Sequence, residues 1–185
     1  IFPGFSGVEV LLDGDKVVGV RTGDRGVDKD GTPKENFEPG MLIKSKMTVF
    51  CDGTRSPLLK RVAEQLGLRE GRNAEAFELG VKEIIQMPPG TVEAGHVTHT
   101  LGFPLDKSVG GTFIYNLTND QIVIGLCVYF DTKDPLLDVH RDLQKLKTHP
   151  HIKKMLEGGQ VISYGGKTIP VGGWFSMPKL YHHGM

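Results

Sequence analysis

The sequence predicts an α+β fold, a mostly antiparallel sheet with a few packed helices. Three observations carry this. Apolar and β-branched runs of strand length recur through most of the 185 residues, punctuated by Asp-Gly, Pro-Gly and Asn-Asp turn signals. The connections between them are too short for parallel crossovers. Helical spacing of apolar residues is confined to Leu58 to Leu66, to Leu136 to Leu146, and to a short segment at about His151 to Glu157.

Val8 to Leu12 and Val17 to Thr22 read as strands joined by Asp13-Gly14-Asp15, a turn chemistry that favours positive φ and hence a hairpin. Gly23 to Gly40 is polar, carries Asp30-Gly31 and two prolines, and reads as a protruding hairpin or loop. Met41 to Phe50 returns as a strand and enters Asp52-Gly53. Gly53 permits positive φ or close approach of backbone to a ligand. Ser56 is placed to cap a helix and Pro57 suits its first turn. In that helix Leu58, Leu59, Val62, Ala63 and Leu66 share one face, with Lys60, Arg61, Glu64 and Gln65 on the other. The turn reads equally as a plain strand-to-helix connection or as an anion-friendly concavity. Arg55 fits a solvated helix-start residue better than a phosphate ligand.

After a linker from Gly67 to Ala74, strands are expected at Phe77 to Met87, His96 to Phe103, Gly111 to Leu117 and Gln121 to Phe130, forming a four-stranded, mostly antiparallel sheet. Asp134-Pro135 is expected to open the second helix. The third stops at Gly158-Gly159, and Val161 to Ile169 is a last strand before a tail that holds the only Trp, Trp174. Two parts follow, residues 1–66 and 67–185. No internal repeat or low-complexity segment interrupts them.

Lys+Arg and Asp+Glu balance at 22 each, and no basic field for nucleic acid follows from that balance. No apolar run approaches the roughly 18 residues of a spanning helix. Cys51 and Cys127 have neither metal-ligand spacing nor a disulfide framework, and both are expected to be buried free thiols. His96 and His99 fall on opposite faces of a strand, His149 and His151 flank a proline, and His182-His183 reads as an exposed tail. No metal site is expected from any of them. Ile1-Phe2-Pro3-Gly4-Phe5 has no initiator Met and no signal-peptide pattern, which points to a piece of a longer chain.

Five phrases, taken in order, carry a resemblance: Gly19-Val20-Arg21-Thr22-Gly23-Asp24 followed by Asp28 to Lys34; His99-Thr100-Leu101-Gly102-Phe103-Pro104-Leu105-Asp106; Gly110-Gly111-Thr112-Phe113-Ile114-Tyr115; Lys147-Thr148-His149-Pro150; and Leu156-Glu157-Gly158-Gly159 before Ile162-Ser163-Tyr164-Gly165. Together they resemble the electron transfer flavoprotein–ubiquinone oxidoreductase family over nearly the whole chain.

The resemblance implies the central, quinone-binding region of an FAD-linked reductase-like flavoprotein. Such a protein passes electrons from reduced electron transfer flavoprotein to membrane ubiquinone. It implies FAD, a 4Fe-4S cluster whose ligands lie outside this chain, and ubiquinone as substrate. The cluster needs four thiolates, and this sequence has two cysteines. Residues 1–66 would belong to the FAD domain and 67–185 to the quinone-binding domain. Gly110 and Gly111 would line the quinone pocket, and Val8, Asp52 and Gly53 would meet FAD. No catalytic acid or base and no nucleic-acid partner is implied. The expected location is peripheral membrane, at the cytoplasmic face in a bacterium or the mitochondrial inner membrane in a eukaryote, with membrane contact through segments outside this chain.

The sequence departs from the family at Val109, where Tyr is frequent, and at Lys167, where Arg is usual. It also departs at Asp52-Gly53-Thr54-Arg55-Ser56, which looks more like the flavin-dependent aromatic hydroxylases. Two alternatives stay open: an FAD-dependent aromatic hydroxylase or geranylgeranyl reductase-like enzyme, and a stand-alone ligand-binding module.

Overall fold

The Asp13-Gly14-Asp15 turn behaves as its chemistry requires. Gly14 sits at φ +60° and joins β1 (Gly7–Asp13) to β2 (Lys16–Thr22) as an antiparallel hairpin. The computed structural model describes residues 1–185 and gathers them into two units, 1–73 with 173–185, and 74–172.

In the first unit the polar stretch forms its own ribbon, β3 (Arg25–Val27) with β4 (Pro33–Glu38), closed by Asp30, whose Oδ1 accepts from the Thr32 N–H and hydroxyl. β5 (Leu42–Lys44) adds to β2, giving the order β1-β2-β5. The strand expected over 41–50 is thus much shorter. A strand persists only where a neighbour supplies its ladder, and Met47 and Val49 lie exposed in irregular chain with no strand of this unit beside them. α1 (Pro57–Gln65) forms as expected: Ser56 Oγ accepts from the Leu59 N–H at 3.0 Å, Pro57 opens the helix, and Leu58 and Val62 are buried, with α1 packed on β1.

Residues 67–73 and 173–185 lie with this first unit, where the sequence division placed them with the second part. The tail is held by backbone bonds, Lys179 N–H to Leu68 C=O and Val17 N–H to His183 C=O, both 2.8 Å.

The second unit is one antiparallel sheet with helices on one side. β6 (Phe77–Gln86), β7 (Val97–Leu101), β8 (Gly110–Leu117) and β9 (Gln121–Tyr129) precede α2 (Val139–Leu146), α3 (Pro150–Met155) and β10 (Gln160–Pro170). The order β10-β6-β9-β8-β7 has five strands rather than four, because the last strand closes back on β6. Asn119 and Asp120, at φ +60° and +52°, turn β8 into β9. Ile85, Ile114, Ile122, Ile124, Leu126 and Val128 present one sheet face to Val139, Leu143, Leu146 and Ile152 of the helices.

α2 starts later than expected. Asp134-Pro135 forms a turn in which Asp134 Oδ1 accepts from the Leu136 N–H at 2.9 Å, leaving Leu136 exposed. Asp138 is the actual cap, accepting from the Arg141 N–H at 3.0 Å, since a helix opened there buries Val139, Leu143 and Leu146 together. α2 is also pinned to the sheet by Glu83 of β6, only 4% exposed, whose carboxylate accepts from Lys147 Nζ at 2.6 Å and Gln144 Nε2 at 2.7 Å. Burial alone would raise this carboxyl. The Lys147 and Gln144 hydrogen bonds, with the charges of Lys147 and His140, outweigh that and hold it below its ordinary value.

Both cysteines are free, but neither is fully buried. Cys51 is exposed, because the run around it has no strand beside it, and Cys127 is half-buried in β9.

Candidate functional site

Gly110 and Gly111 open β8 at the point where β7 ends. The β7 ladder with β8 stops at Leu101 opposite Gly111, whereas the β9 ladder continues to Gly110 opposite Val128. On its β7 side the Gly110 main chain therefore lies past the end of the sheet ladder. Both positions are sterically tight. A Cβ on Gly110 would fall 2.1 Å from the Cys127 carbonyl oxygen, and one on Gly111 would fall 2.9 Å from both Leu101 Cδ2 and the Thr100 carbonyl oxygen. The sequence predicts this strand from Gly111, and it starts one residue earlier. The two glycines are the first two residues of that strand.

Successive residues of a strand point to opposite faces, and direct partners across a ladder share a face. Thr112 and Ile114 are buried on the helix side with Leu126 and Ile124. Gly111, Phe113 and Tyr115 therefore belong to the other face, with Leu101 and His99 of β7 and Cys127 and Gly125 of β9. No helix of this unit covers that face. On it the rings form a row: Phe113 to Tyr115 with centroids 5.1 Å apart, Tyr115 to His99 at 5.8 Å, the latter edge to face. The Cζ end of the Phe113 ring stands over Gly125, its direct partner on β9, where any Cβ would collide with it. Sequence reasoning missed this row, although Phe113 and Tyr115 at period two after the glycine pair are its signal. On the same face, burial pushes the Cys127 thiol up and the charge of Glu78 adds to it. Burial likewise raises the Glu78 carboxyl, against an opposing hydrogen bond from Tyr129.

Val8, Asp52 and Gly53 all lie in the first unit. Gly53 adopts φ +77°, the left-handed conformation that its residue type permits. The exposed Asp52 carboxylate accepts from the Ser56 hydroxyl at 2.6 Å, and α1, which this turn opens, packs on the strand containing Val8. A carboxylate here repels phosphate and accepts from hydroxyl groups. The turn would therefore suit a hydroxyl-bearing group rather than a phosphate. Arg55 is exposed. A four-iron cluster does not fit these residues, since Cys51 and Cys127 are the only thiols and belong to different units.

Two concavities lie elsewhere in the second unit. A groove of about 830 Å³ is lined by Ile85, Lys147, Pro150, Lys153, Leu156 and Val161, at the end of the sheet away from the glycine pair. A smaller one of about 200 Å³, between the Pro104–Ser108 loop and α2, reaches the glycine end, where Leu105 borders Gly110. The large groove is also lined by Lys154 and by the glycine pair Gly158-Gly159. Lys167 is exposed on β10, the sheet edge.

Residues 77–169 match the family model described as ETF-QO, ubiquinone-binding. The chain is 46% identical over 182 residues to the mitochondrial electron transfer flavoprotein-ubiquinone oxidoreductase of Arabidopsis thaliana, covering 96% of this chain and 29% of that protein. It is 39% identical over 187 residues to the Pseudomonas aeruginosa electron transfer flavoprotein-ubiquinone oxidoreductase (100% and 34%) and 37% identical over 184 residues to the Homo sapiens mitochondrial protein of that name (97% and 30%). The chain thus spans about a third of the length of these relatives. In fold it is similar to a geranylgeranyl bacteriochlorophyll reductase-like protein from Thermoplasma acidophilum (TM-score 0.57, 16% identity, 90% of this chain and 36% of that one). The flavin-dependent brominase Bmp2 is similar too (TM-score 0.52, 13% identity, 90% and 38%).

Proposed function

The chain belongs to the ETF-QO ubiquinone-binding family, and we propose that it is the quinone-binding portion of a flavoprotein dehydrogenase that passes electrons from reduced electron transfer flavoprotein to membrane ubiquinone. The observation that carries this is the Gly110-Gly111 pair, inside the matched region, at a point where the β7 ladder has ended. Without side chains the main chain can come up to a flat ring, and N–H donors strengthen as a quinone carbonyl gains negative charge on reduction.

The first unit would supply one edge of the FAD site through Val8, Asp52 and Gly53, and the second would hold the quinone. FAD and a 4Fe-4S cluster, the latter on cysteines outside these residues, would supply the electron chemistry. The residues of this chain bind and orient. The whole protein would work as a peripheral membrane protein, of the mitochondrial inner membrane or a bacterial cytoplasmic face. No helix of this chain is long and apolar enough to cross a bilayer.

The test is a reconstitution with the full-length, FAD-loaded protein: reduced electron transfer flavoprotein and a short-tailed ubiquinone are mixed and quinol formation is followed. Quinol formed in proportion to enzyme supports the reading. Oxidation of a nicotinamide with an aromatic or isoprenoid substrate, and no quinol, would replace it with the hydroxylase or reductase alternative.

A further inference from the structure

We propose that the large groove of the second unit, between α3 and the start of β10, is a docking site for the electron transfer flavoprotein, and that it receives a segment of that protein bearing carboxylates around an apolar tip. The inference rests on the electron-transfer reading above and adds to it the place where the electron donor is held.

Two of the five phrases that carry the family resemblance, at 147–150 and 156–159, come together in this groove. Part of what they do is structural. Gly158 at φ +77° and Gly159, where a Cβ would meet Ile85 Cγ2 and Met87 Sδ at 2.6 Å, turn the chain from α3 into β10 against the sheet. Lys147 is committed to the buried carboxylate of Glu83. That leaves Lys153 and Lys154, exposed in the last turn of α3, beside a floor of Ile85, Leu156 and Val161. Cations there also favour a helix C-terminus, but that role needs no apolar floor next to them.

Charge and position select the occupant. Between residues 139 and 157 stand Arg141, Lys145, Lys147, Lys153 and Lys154 against Asp142 and Glu157, in a chain of zero net charge. Glu157 is the only carboxylate lining the groove. Such a layer steers an acidic surface toward it at long range, and the apolar floor supplies the contact once the surfaces meet. The other anionic surface at hand is lipid. Ubiquinone enters from the bilayer, so the glycine end of the sheet is the end nearest to it. From Cys127, the partner of Gly111, to Ile122, the partner of Ile85, β9 runs about 17 Å away from that end. The groove therefore faces water, where the electron donor arrives.

The test uses the full-length, FAD-loaded protein and purified electron transfer flavoprotein in the quinol-forming assay at several salt concentrations. Lys153→Glu with Lys154→Glu reverses the two free charges. Lys133→Glu with Lys167→Glu makes the same change at exposed positions of the second unit outside the groove. At low salt the first pair should raise the KM for reduced electron transfer flavoprotein about five- to tenfold, with flavin content normal and the quinone KM within about twofold of wild type. The second pair should raise it less than about twofold, and Lys153→Gln with Lys154→Gln should fall between. Added salt should raise the wild-type KM and narrow its gap from the groove variants. An unchanged KM for electron transfer flavoprotein, an equal rise in both Glu pairs, or a matching rise in the quinone KM would overturn the docking site. So would loss of binding to anionic phospholipid vesicles in the first pair with the flavoprotein KM unchanged, which would make the groove a lipid contact. If the wild-type protein forms quinol from reduced electron transfer flavoprotein and the groove variants do so with its KM, only this inference falls. If the wild-type protein forms no quinol, the electron-transfer reading falls and this inference with it.

Discussion

Replacing Glu83 by Gln removes the charge that anchors α2 to the sheet. Glu83 is 4% exposed and its carboxylate is met by Lys147 at 2.6 Å and Gln144 at 2.7 Å. Removing one member of a buried ion pair typically costs about 3–5 kcal/mol. Here the Lys147 side chain is 21% exposed and can turn toward water, and a Gln amide oxygen still accepts from Gln144, so the expected cost is nearer 2 kcal/mol. In a domain of about a hundred residues each kcal/mol moves the melting temperature by roughly 4–8 °C, so E83Q should melt about 10 °C lower at neutral pH. The pH dependence follows from the sign of the shift. The folded-state carboxyl is held below its ordinary value, so its contribution is fully present above the unfolded-state value of about 4.3 and is lost as pH falls through the lower folded-state value. Melts followed by circular dichroism from pH 7 downward should show the wild-type and E83Q curves converging below about pH 5. A difference under about 2 °C at neutral pH, or one that does not shrink in acid, would refute the anchoring role.

Ser56→Ala removes both the α1 cap and the hydrogen bond to Asp52, and should destabilise the chain by about 1 kcal/mol in urea titrations. Gly110→Ala should lower the melting temperature more than Gly111→Ala, because the first methyl meets a backbone carbonyl at 2.1 Å while the second meets a movable Leu101 tip and the Thr100 oxygen at 2.9 Å. FAD added to this 185-residue chain should be held loosely and lost on gel filtration, since the proposed contacts of the Asp52-Gly53 turn and Val8 would reach only an edge and these residues contain no Gly-rich phosphate loop. A stoichiometric flavin spectrum after filtration would show that these residues do far more.

What the sequence made legible is local. Asp13-Gly14-Asp15, Ser56-Pro57 and Asn119-Asp120 encode turns and caps in their own backbone preferences, and each forms where it was expected. What depends on a distant neighbour did not show. The run from Met41 to Phe50 has strand composition, yet only Leu42–Lys44 pairs as a strand, and Cys51 is exposed for the same reason. Asp134 and Asp138 are both plausible caps four residues apart, and only packing against the sheet selects the second. The glycine pair was visible as a motif, but its two directions were not. They emerge from the register of β8 between β7 and β9, which also brings Phe113, Cys127 and Gly80 to one face.

The most direct test of the quinone assignment is the full-length protein carrying Gly111→Leu, compared with wild type in two half-reactions. Reduction of bound flavin by reduced electron transfer flavoprotein should proceed at a near-normal rate with normal flavin content, while reoxidation by a short-tailed ubiquinone should fall by at least about tenfold, because the new side chain fills the space where the ring must lie. Reoxidation by quinone at the wild-type rate would contradict the assignment.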